Sequence, residues 1–419
     1  MRPSPFAPEH LQDPYAALAA LRDDGPVQRV EGPQGIPTFI VIGYHEVVAA
    51  LRDGRFSTDP HHAHELFRRA GLVIESEGED PPPSLLTSDP PDHTRLRKLV
   101  ARAFTPRRAE ALRGEIEDIA EELLDTIADT GHADLVDALA FALPVTVITR
   151  LLGIPSADRD AFRRWTVGMQ TPSTAPDAAE RKLASKEALH AYLRSFVAHK
   201  RATLDVHAEG DAHPDLASAL IAAADEQHEL TEPELVALLE ELLIGGYETA
   251  ANFIANAIFA LLTHPDQLEL LRREPERVAD AVEELLRYDG SVLRAVPRVA
   301  VEDVELGGTT IPRGSLVTIV LGAANRDPAM FDQPDDLCVG RPHAKHLAFG
   351  HGIHFCPGAG LARVEAEIAL RAVLQRLPGL RLDAPAEAIR WRPAGVMRAL
   401  ASLPVRFDPA LDRAHSTVA

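Results

Sequence analysis

The sequence predicts a mainly α fold with a few short strands, and three stretches predict it. Helical periodicity dominates from Asp92 to about Leu230. An unusually long helix opens at Thr231 and runs to His264-Pro265. A last long helix spans Gly358–Leu377 and begins just after a cysteine, Cys356.

Along the chain, Pro14–Asp23 reads as a helix, and Val27–Val30 and Thr38–Ile42 read as strands around a Gly/Pro turn. Residues Ser57–Pro91 are rich in proline and histidine and poorly periodic, which predicts a long loop; loops of that size in compact domains are often functional. The helical stretch that follows is broken at Pro106, Pro144 and Pro155, then at 171–178 and His207–Pro214. Thr231-Glu232-Pro233-Glu234 is a capping-box start with proline in the first turn. Another helix spans Pro275–Tyr288 and ends at Asp289-Gly290. Arg298–Val301 and Val317–Val320 read as strands, and Ala324–His346 as irregular chain.

The composition is globular, with 46% apolar and 25% charged residues. Length alone would allow two or three domains, but no repeat, low-complexity tract or long linker separates any. The 43 basic and 63 acidic residues leave a formal charge of −20, which argues against nucleic acid as a general partner. The N-terminus lacks the apolar core of a signal peptide, and the most apolar run, Ala138–Ile148, contains Pro144; no membrane association and a cytoplasmic location are the expectation. With two cysteines, Cys338 and Cys356, a pair is possible, but a disulfide framework or a cysteine-rich zinc site is excluded.

Chemistry concentrates first in Phe349-Gly350-His351-Gly352-Ile353-His354-Phe355-Cys356-Pro357-Gly358. Three glycines surround one cysteine at the start of a helix. A thiolate there gains from the positive helix N-terminus, and glycines let backbone approach a flat cofactor. An isolated Gly-x-Gly would be an ordinary turn. The whole phrase is similar to the cysteine-loop signature of the cytochrome P-450 family, Phe-x-x-Gly-x-His/Arg-x-Cys-x-Gly. That resemblance implies Cys356 as the axial thiolate ligand of a haem b iron, with Phe349, Gly350 and Gly358 framing the cofactor and His354 contacting a propionate.

Gly245-Gly246-Tyr247-Glu248-Thr249-Ala250 lies mid-helix. Each glycine there costs about 1 kcal/mol against alanine, so something other than helix stability keeps it. Leu238, Leu242, Gly245, Thr249 and Phe253 share one face, flanked by Glu248. Alone this reads equally well as tight helix packing. The phrase resembles the family's Gly-Gly-x-Asp/Glu-Thr oxygen-activation motif, which implies that Thr249 hydrogen-bonds the dioxygen and Glu248 relays protons. Glu284-Leu285-Leu286-Arg287 resembles the family's Glu-x-x-Arg clamp behind the haem; the third, usually basic, partner falls within Phe331–Arg341, where Asp336 takes the slot by count. His93 and Arg97, one turn apart, are similar to the C-helix His-x-x-x-Arg that binds propionates, and Arg298 matches a further propionate arginine. Arg95, Lys98 and Arg102 face the other way and, with Arg107 and Arg108, form a basic patch.

Taken together the matches cover the chain in family order. They imply a single haem-enclosing domain over residues 1–419, mainly α with small β-sheets. They imply a monooxygenase that inserts one oxygen atom from O2 into a small apolar substrate, a polyketide or other secondary metabolite, by hydroxylation or epoxidation. A separate ferredoxin and ferredoxin reductase supply electrons to a monomer. By family position Glu240-Glu241, the 57–91 loop, the 165–190 region, Ser291–Val296 and Gly395–Met397 border the substrate, with Leu242, Gly245, Val292, Leu293, Val296 and Val396 in contact. A peroxygenase or isomerase on the same scaffold, or a haem-based gas sensor, are the alternatives; the retained Glu248-Thr249 pair argues against them.

Overall fold

A computed structural model describes residues 4–70, 82–101, 104–169, 177–203, 214–227, 229–342 and 345–409. The N-terminal part carries α1 (Pro14–Arg22), α2 (Tyr44–Arg52) and α3 (His64–Arg69). A helical centre follows: α4 (Asp92–Ala101), α5 (Pro106–Ala111), α6 (Arg113–Asp125), α7 (Ala142–Leu152), α8 (Arg159–Met169), α9 (Ala178–Thr203), α10 (Leu216–Gln227) and α11 (Glu232–Thr263). Then come α12 (Pro265–Arg273), α13 (Val278–Asp289), α14 (Leu321–Ala324) and α15 (Ala359–Arg376). The strands in chain order are β1 (Val27–Glu31), β2 (Pro37–Val41), β3 (Phe56–Ser57), β4 (His132–Asp134), β5 (Arg298–Ala300), β6 (Val304–Leu306), β7 (Thr309–Ile311) and β8 (Leu316–Ile319). β9 (Arg381–Leu382), β10 (Trp391–Ala394), β11 (Met397–Leu400) and β12 (Pro404–Arg406) close the series.

The 32-residue α11 organises the molecule, and its start is chemically defined. The Glu234 N–H donates to Thr231 Oγ1 at 3.4 Å, and the Thr231 N–H donates to Glu234 Oε2 at 2.7 Å, the reciprocal capping box. A helix this long, mostly apolar and buried along its length, belongs inside a protein. Its first half (Leu235, Leu239, Leu243) packs with Ile148 of α7, Leu193 of α9 and Ile221 of α10. Its second half (Ile254, Ile258, Leu261) packs with Ile119 of α6, Leu285 of α13 and Ile368 of α15.

Beside this helical body lies a five-stranded sheet ordered β1-β2-β8-β5-β3, with β2 parallel to β8 and the other neighbours antiparallel. Phe39, Val41 and Val317 of its strands pack on Val47 and Leu51 of α2. A three-stranded sheet, β4-β12-β9, and two hairpins, β6-β7 and β10-β11, are small additions. The β10-β11 hairpin, in register Arg392↔Ala399, packs on α11.

The expected long loop Ser57–Pro91 is more structured than its periodicity indicates. Within its described part, residues Pro60–Ala63 form a 3-10 turn and α3 follows. Phe67 buries against Ile36, Val299 and Leu316, so tertiary packing supports a helix too short to stand by itself. Residues 71–81 of that loop lie outside the described residues.

The clamp also differs from the sequence count. Arg287, with a fully buried side chain, donates to both oxygens of Glu284 at 2.7 and 2.9 Å. The third member is Arg341, whose Nε reaches both Glu284 oxygens at 3.1 Å. Asp336 contributes its backbone carbonyl, which accepts from Arg287 and Arg341. A carboxylate side chain in that slot would face Glu284 with like charge; the segment is irregular, so counting residues misplaces the partner. The Cys338 N–H completes the carboxylate's shell at 2.9 Å, and both cysteines are free thiols.

Candidate active site

The cysteine loop is held by a short set of backbone bonds. Cys356 N donates to the Phe349 carbonyl at 2.9 Å, and Gly350 N donates to the Leu347 carbonyl at 2.8 Å. Gly350 and Gly352 adopt φ of +71° and +75°, where other residues are strained. At Gly352 a side chain is doubly excluded, since a Cβ would come within 2.5 Å of the Leu51 carbonyl oxygen. Gly358 caps α15, and a Cβ there would stand 3.9 Å from Cys356 Sγ. Phe349 is fixed by the Arg363 guanidinium, 4.5 Å from its ring centre. Burial pushes the Cys356 thiol up, while the Gly358 N–H and the charges of Arg97 and Arg363 pull it back.

Around this loop the chain gathers arginine and histidine hydrogen-bond donors. His93 and Arg97 come from α4, Arg298 from β5 and His354 from the loop itself. The His93 and His354 rings lie 4.3 Å apart. His93 and Arg298 are buried, and His93 Nε2 and Arg298 Nε find no hydrogen-bond partner among the described residues. Arg298 Nη1 donates to the Phe56 carbonyl at 3.0 Å. Burial, then Arg298 and His93, push His354 down to about 3. Burial lowers Arg298 to about 10, against the opposing charge of Asp89, which the Ser57 hydroxyl holds nearby. Buried donors without acceptors are costly, so this cluster is built for an anion that protein side chains leave unsupplied.

On α11 the two glycines serve different ends. A Cβ on Gly246 would meet Ile148 Cδ1 at 2.7 Å, so this glycine lets α7 approach. A Cβ on Gly245 would meet nothing within 4 Å: this glycine opens space. Thr249 Oγ1 donates to the Gly245 carbonyl at 2.9 Å, the back-bond that bends a helix. Glu248 is buried beside it.

The structure divides the remaining expected contacts. Leu242 is buried on α11, while Val292, Val296 and Val396 keep part of their surface open. Leu293 instead packs among Leu18, Ile40 and Val320, away from α11. Glu240 and Glu241 are engaged elsewhere: His190 Nε2 lies 2.7 Å from Glu240, and Glu241 accepts from the Leu85 and Leu86 N–H groups at 2.8 and 3.4 Å. Arg95 of the basic patch turns inward to Glu234 and Asp92, and Arg102 lies outside the described residues. Sequence reasoning brackets Arg341 without singling it out and misses Arg392, because both come from segments whose approach to α13 and α11 is set by tertiary structure.

A helical body crossed by one long helix, with a thiol loop and a buried cluster of arginine and histidine donors beside it, defines a haem-thiolate class of protein. The Cytochrome P450 family profile matches residues 36–379, and the chain belongs to that family. It is 44% identical to the cytochrome P450 monooxygenase PikC of Streptomyces venezuelae, over 94% of this chain and 91% of that one. It is 42% identical to the mycinamicin IV hydroxylase/epoxidase of Micromonospora griseorubida, over 96% and 98%. Among solved structures it is similar to the tirandamycin C-bound P450 monooxygenase TamI, with a TM-score of 0.86, 40% identity and coverage of 96% and 98%. The myxobacterial cytochrome P450 CYP267B1 with myristic acid gives a TM-score of 0.89 at 37% identity, covering 96% and 98%.

The protein is therefore an oxidoreductase whose cofactor is haem, and the residues present fit it. A porphyrin carries two propionates, the anions that the donors of His93 and Arg298 lack, and an iron cation offsets the cost of burying a Cys356 thiolate. Among the described residues no helix is long and apolar enough to cross a membrane.

Proposed function

We propose that this chain is a monooxygenase of secondary metabolism that hydroxylates or epoxidises a polyketide or similarly apolar small molecule. Cys356 would hold the haem iron through its thiolate, Phe349, Gly350 and Gly358 would frame the cofactor on that side, and His93, Arg97, Arg298 and His354 would bind its propionates. When bound, the haem supplies activation of O2, with one oxygen atom entering the substrate and the other leaving as water. Thr249 offers a hydroxyl to the open space at Gly245, and Glu248 passes protons inward from the hairpin side of α11. Leu242, Gly245, Val292, Val296 and Val396 contact the substrate. Electrons come from a separate ferredoxin and its reductase, and the enzyme works as a cytoplasmic monomer.

The observation that carries this reading is the pairing of a glycine-framed buried thiol with a cluster of buried arginine and histidine donors short of acceptors. The test has two parts. Reduced protein with carbon monoxide should give the thiolate-specific Soret band; Cys356→Ala should abolish it and Cys338→Ala should keep it. The opposite pattern would overturn the ligand assignment. Spectral titration with mycinamicin IV, tirandamycin C and myristic acid then tests the substrate class, the first two being expected to bind. A response to myristic acid alone would move the reading to fatty acids.

A further inference from the structure

Glu248 and Asn252 stand one turn apart on α11, on the side that meets the β10-β11 hairpin. Arg392 reaches across from β10. Its Nη2 lies 3.9 Å from Glu248 Oε1 and 3.5 Å from Asn252 Oδ1. From β11, Met397 Sδ accepts from Asn252 Nδ2 at 3.7 Å, so the hairpin holds both ends of this polar row. The carboxylate is 10% exposed and the guanidinium 31%, so the pair lies at the border between solvent and interior. Burial pulls the Arg392 guanidinium down, and the charges of Glu248 and Tyr247 push it back up.

The same chain shows what happens to a buried carboxyl without a cation. Glu365 in α15 is 1% exposed, and neither of its oxygens has a hydrogen-bond partner among the described residues. Burial pushes it up to about 8, which makes it a neutral acid near pH 7. A proton carrier needs the other state: it must first be an acceptor. An opposite charge within a few ångström favours the ionised form of an acid, which is the service Arg392 is placed to give.

We propose that Arg392 is the positioning residue of the proton relay, holding the Glu248 carboxylate ionised and in place against α11. Glu248 then takes a proton from solvent at the Arg392 side and gives it up toward the Thr249 hydroxyl, returning to the carboxylate each cycle. Arg392 thereby serves the relay from the hairpin without itself touching substrate or cofactor. The inference rests on reading Glu248 and Thr249 as the relay. A pair that served structure alone would tie the hairpin to α11 and leave proton delivery unaffected by its loss.

The experiment uses the haem-loaded full chain without substrate, reduced by NADPH through a plant-type ferredoxin and reductase at saturating ferredoxin. Two readouts are the rate of NADPH oxidation and its solvent deuterium isotope effect. Arg392→Met should slow oxidation about tenfold, less than the roughly 10²–10⁴-fold a proton carrier itself contributes because Glu248 remains, and raise the isotope effect. Arg392→Lys, which keeps the charge, should recover most of the rate. In a Glu248→Gln background Arg392→Met should change neither readout further, because coupled residues are not additive. The carbon monoxide spectrum reports that each variant has folded, and Arg392→Gln replaces the Met variant if that one has not. An Arg392 effect of equal size with and without Glu248 overturns the proposal, as does an Arg392→Met enzyme with the wild-type rate. If Glu248→Gln alone leaves rate and isotope effect unchanged, the relay reading itself falls.

Discussion

Replacing Arg341 by alanine tests the clamp where structure and residue count disagree. Its Nε bonds to Glu284 are 3.1 Å each, and its Nη atoms reach the carbonyls of Asp332, Gln333 and Asp336 at 2.6, 3.2 and 3.2 Å. The Arg341 side chain is 15% exposed and that of Glu284 3%, so water screens the pair weakly. A hydrogen bond to a charged group is worth about 1.5–3 kcal/mol. Glu284 is not orphaned by the change, because Arg287 and the Cys338 N–H remain on it. The expected loss for Arg341→Ala is therefore about 2 kcal/mol. Glu284→Gln strips the counter-charge from a fully buried Arg287 and should cost about 3–5 kcal/mol, the penalty for an uncompensated buried charge. Asp336→Ala keeps the carbonyl that does the bonding and should stay within about 0.5 kcal/mol of wild type. Urea denaturation of the haem-loaded protein gives the three values, provided the slope with denaturant is unchanged. If Asp336→Ala costs as much as Arg341→Ala, the Asp336 side chain is a member of the clamp and the reasoning is refuted.

Thr249→Ala should leave haem and ligand binding intact while raising hydrogen peroxide released per NADPH; an unchanged peroxide yield would show that protons arrive by another route. Gly246→Ala should destabilise, since overpacking against Ile148 at about 1–3 kcal/mol outweighs a gain of about 1 kcal/mol in helix propensity. Gly245→Ala, with nothing within 4 Å of the new methyl, should raise the urea midpoint through the same gain of about 1 kcal/mol in helix propensity and change the ligand titration as well. Lys98 and Arg107 are exposed, so charge reversal of both to Glu should slow reduction by an acidic ferredoxin and flatten its salt dependence; equal rates at all salt concentrations would remove the patch from electron transfer. Pro357→Leu adds an N–H beside Cys356, where Gly358 already donates; the variant should be easier to reduce, and a potential that falls or stays put would leave Pro357 as a stiffener of the turn into α15.

Much of the fold is legible because its main helix carries its own punctuation. Thr231 and Glu234 mark its start by a bond pattern that needs no tertiary partner, and His264-Pro265 marks its end. α3 has no such marks. Its six residues hold together because Phe67 finds Val299 of β5, Leu316 of β8 and Ile36 just before β2, whose positions depend on the whole sheet. The cysteine loop is legible for the opposite reason to α3: its geometry is local, with glycines at positive φ and a backbone bond between residues seven apart.

The parts of the site that escape the sequence are contacts between segments distant in the chain. Glu284 and Arg287 are neighbours on α13 by helical spacing alone, but Arg341 reaches them from 57 residues away, through irregular chain. No periodicity fixes which side chain such a segment presents, and charge is the better guide: a buried carboxylate selects a cation, so among Phe331–Arg341 the arginine is the chemically consistent choice over any aspartate. The same kind of argument applies to the run after Gly290. Consecutive residues of an extended chain point to opposite sides, so Val292 and Leu293 cannot both face one cavity. The structure sends Leu293 into the cluster around Leu18 and keeps Val292 paired with Met397 of the hairpin that borders α11.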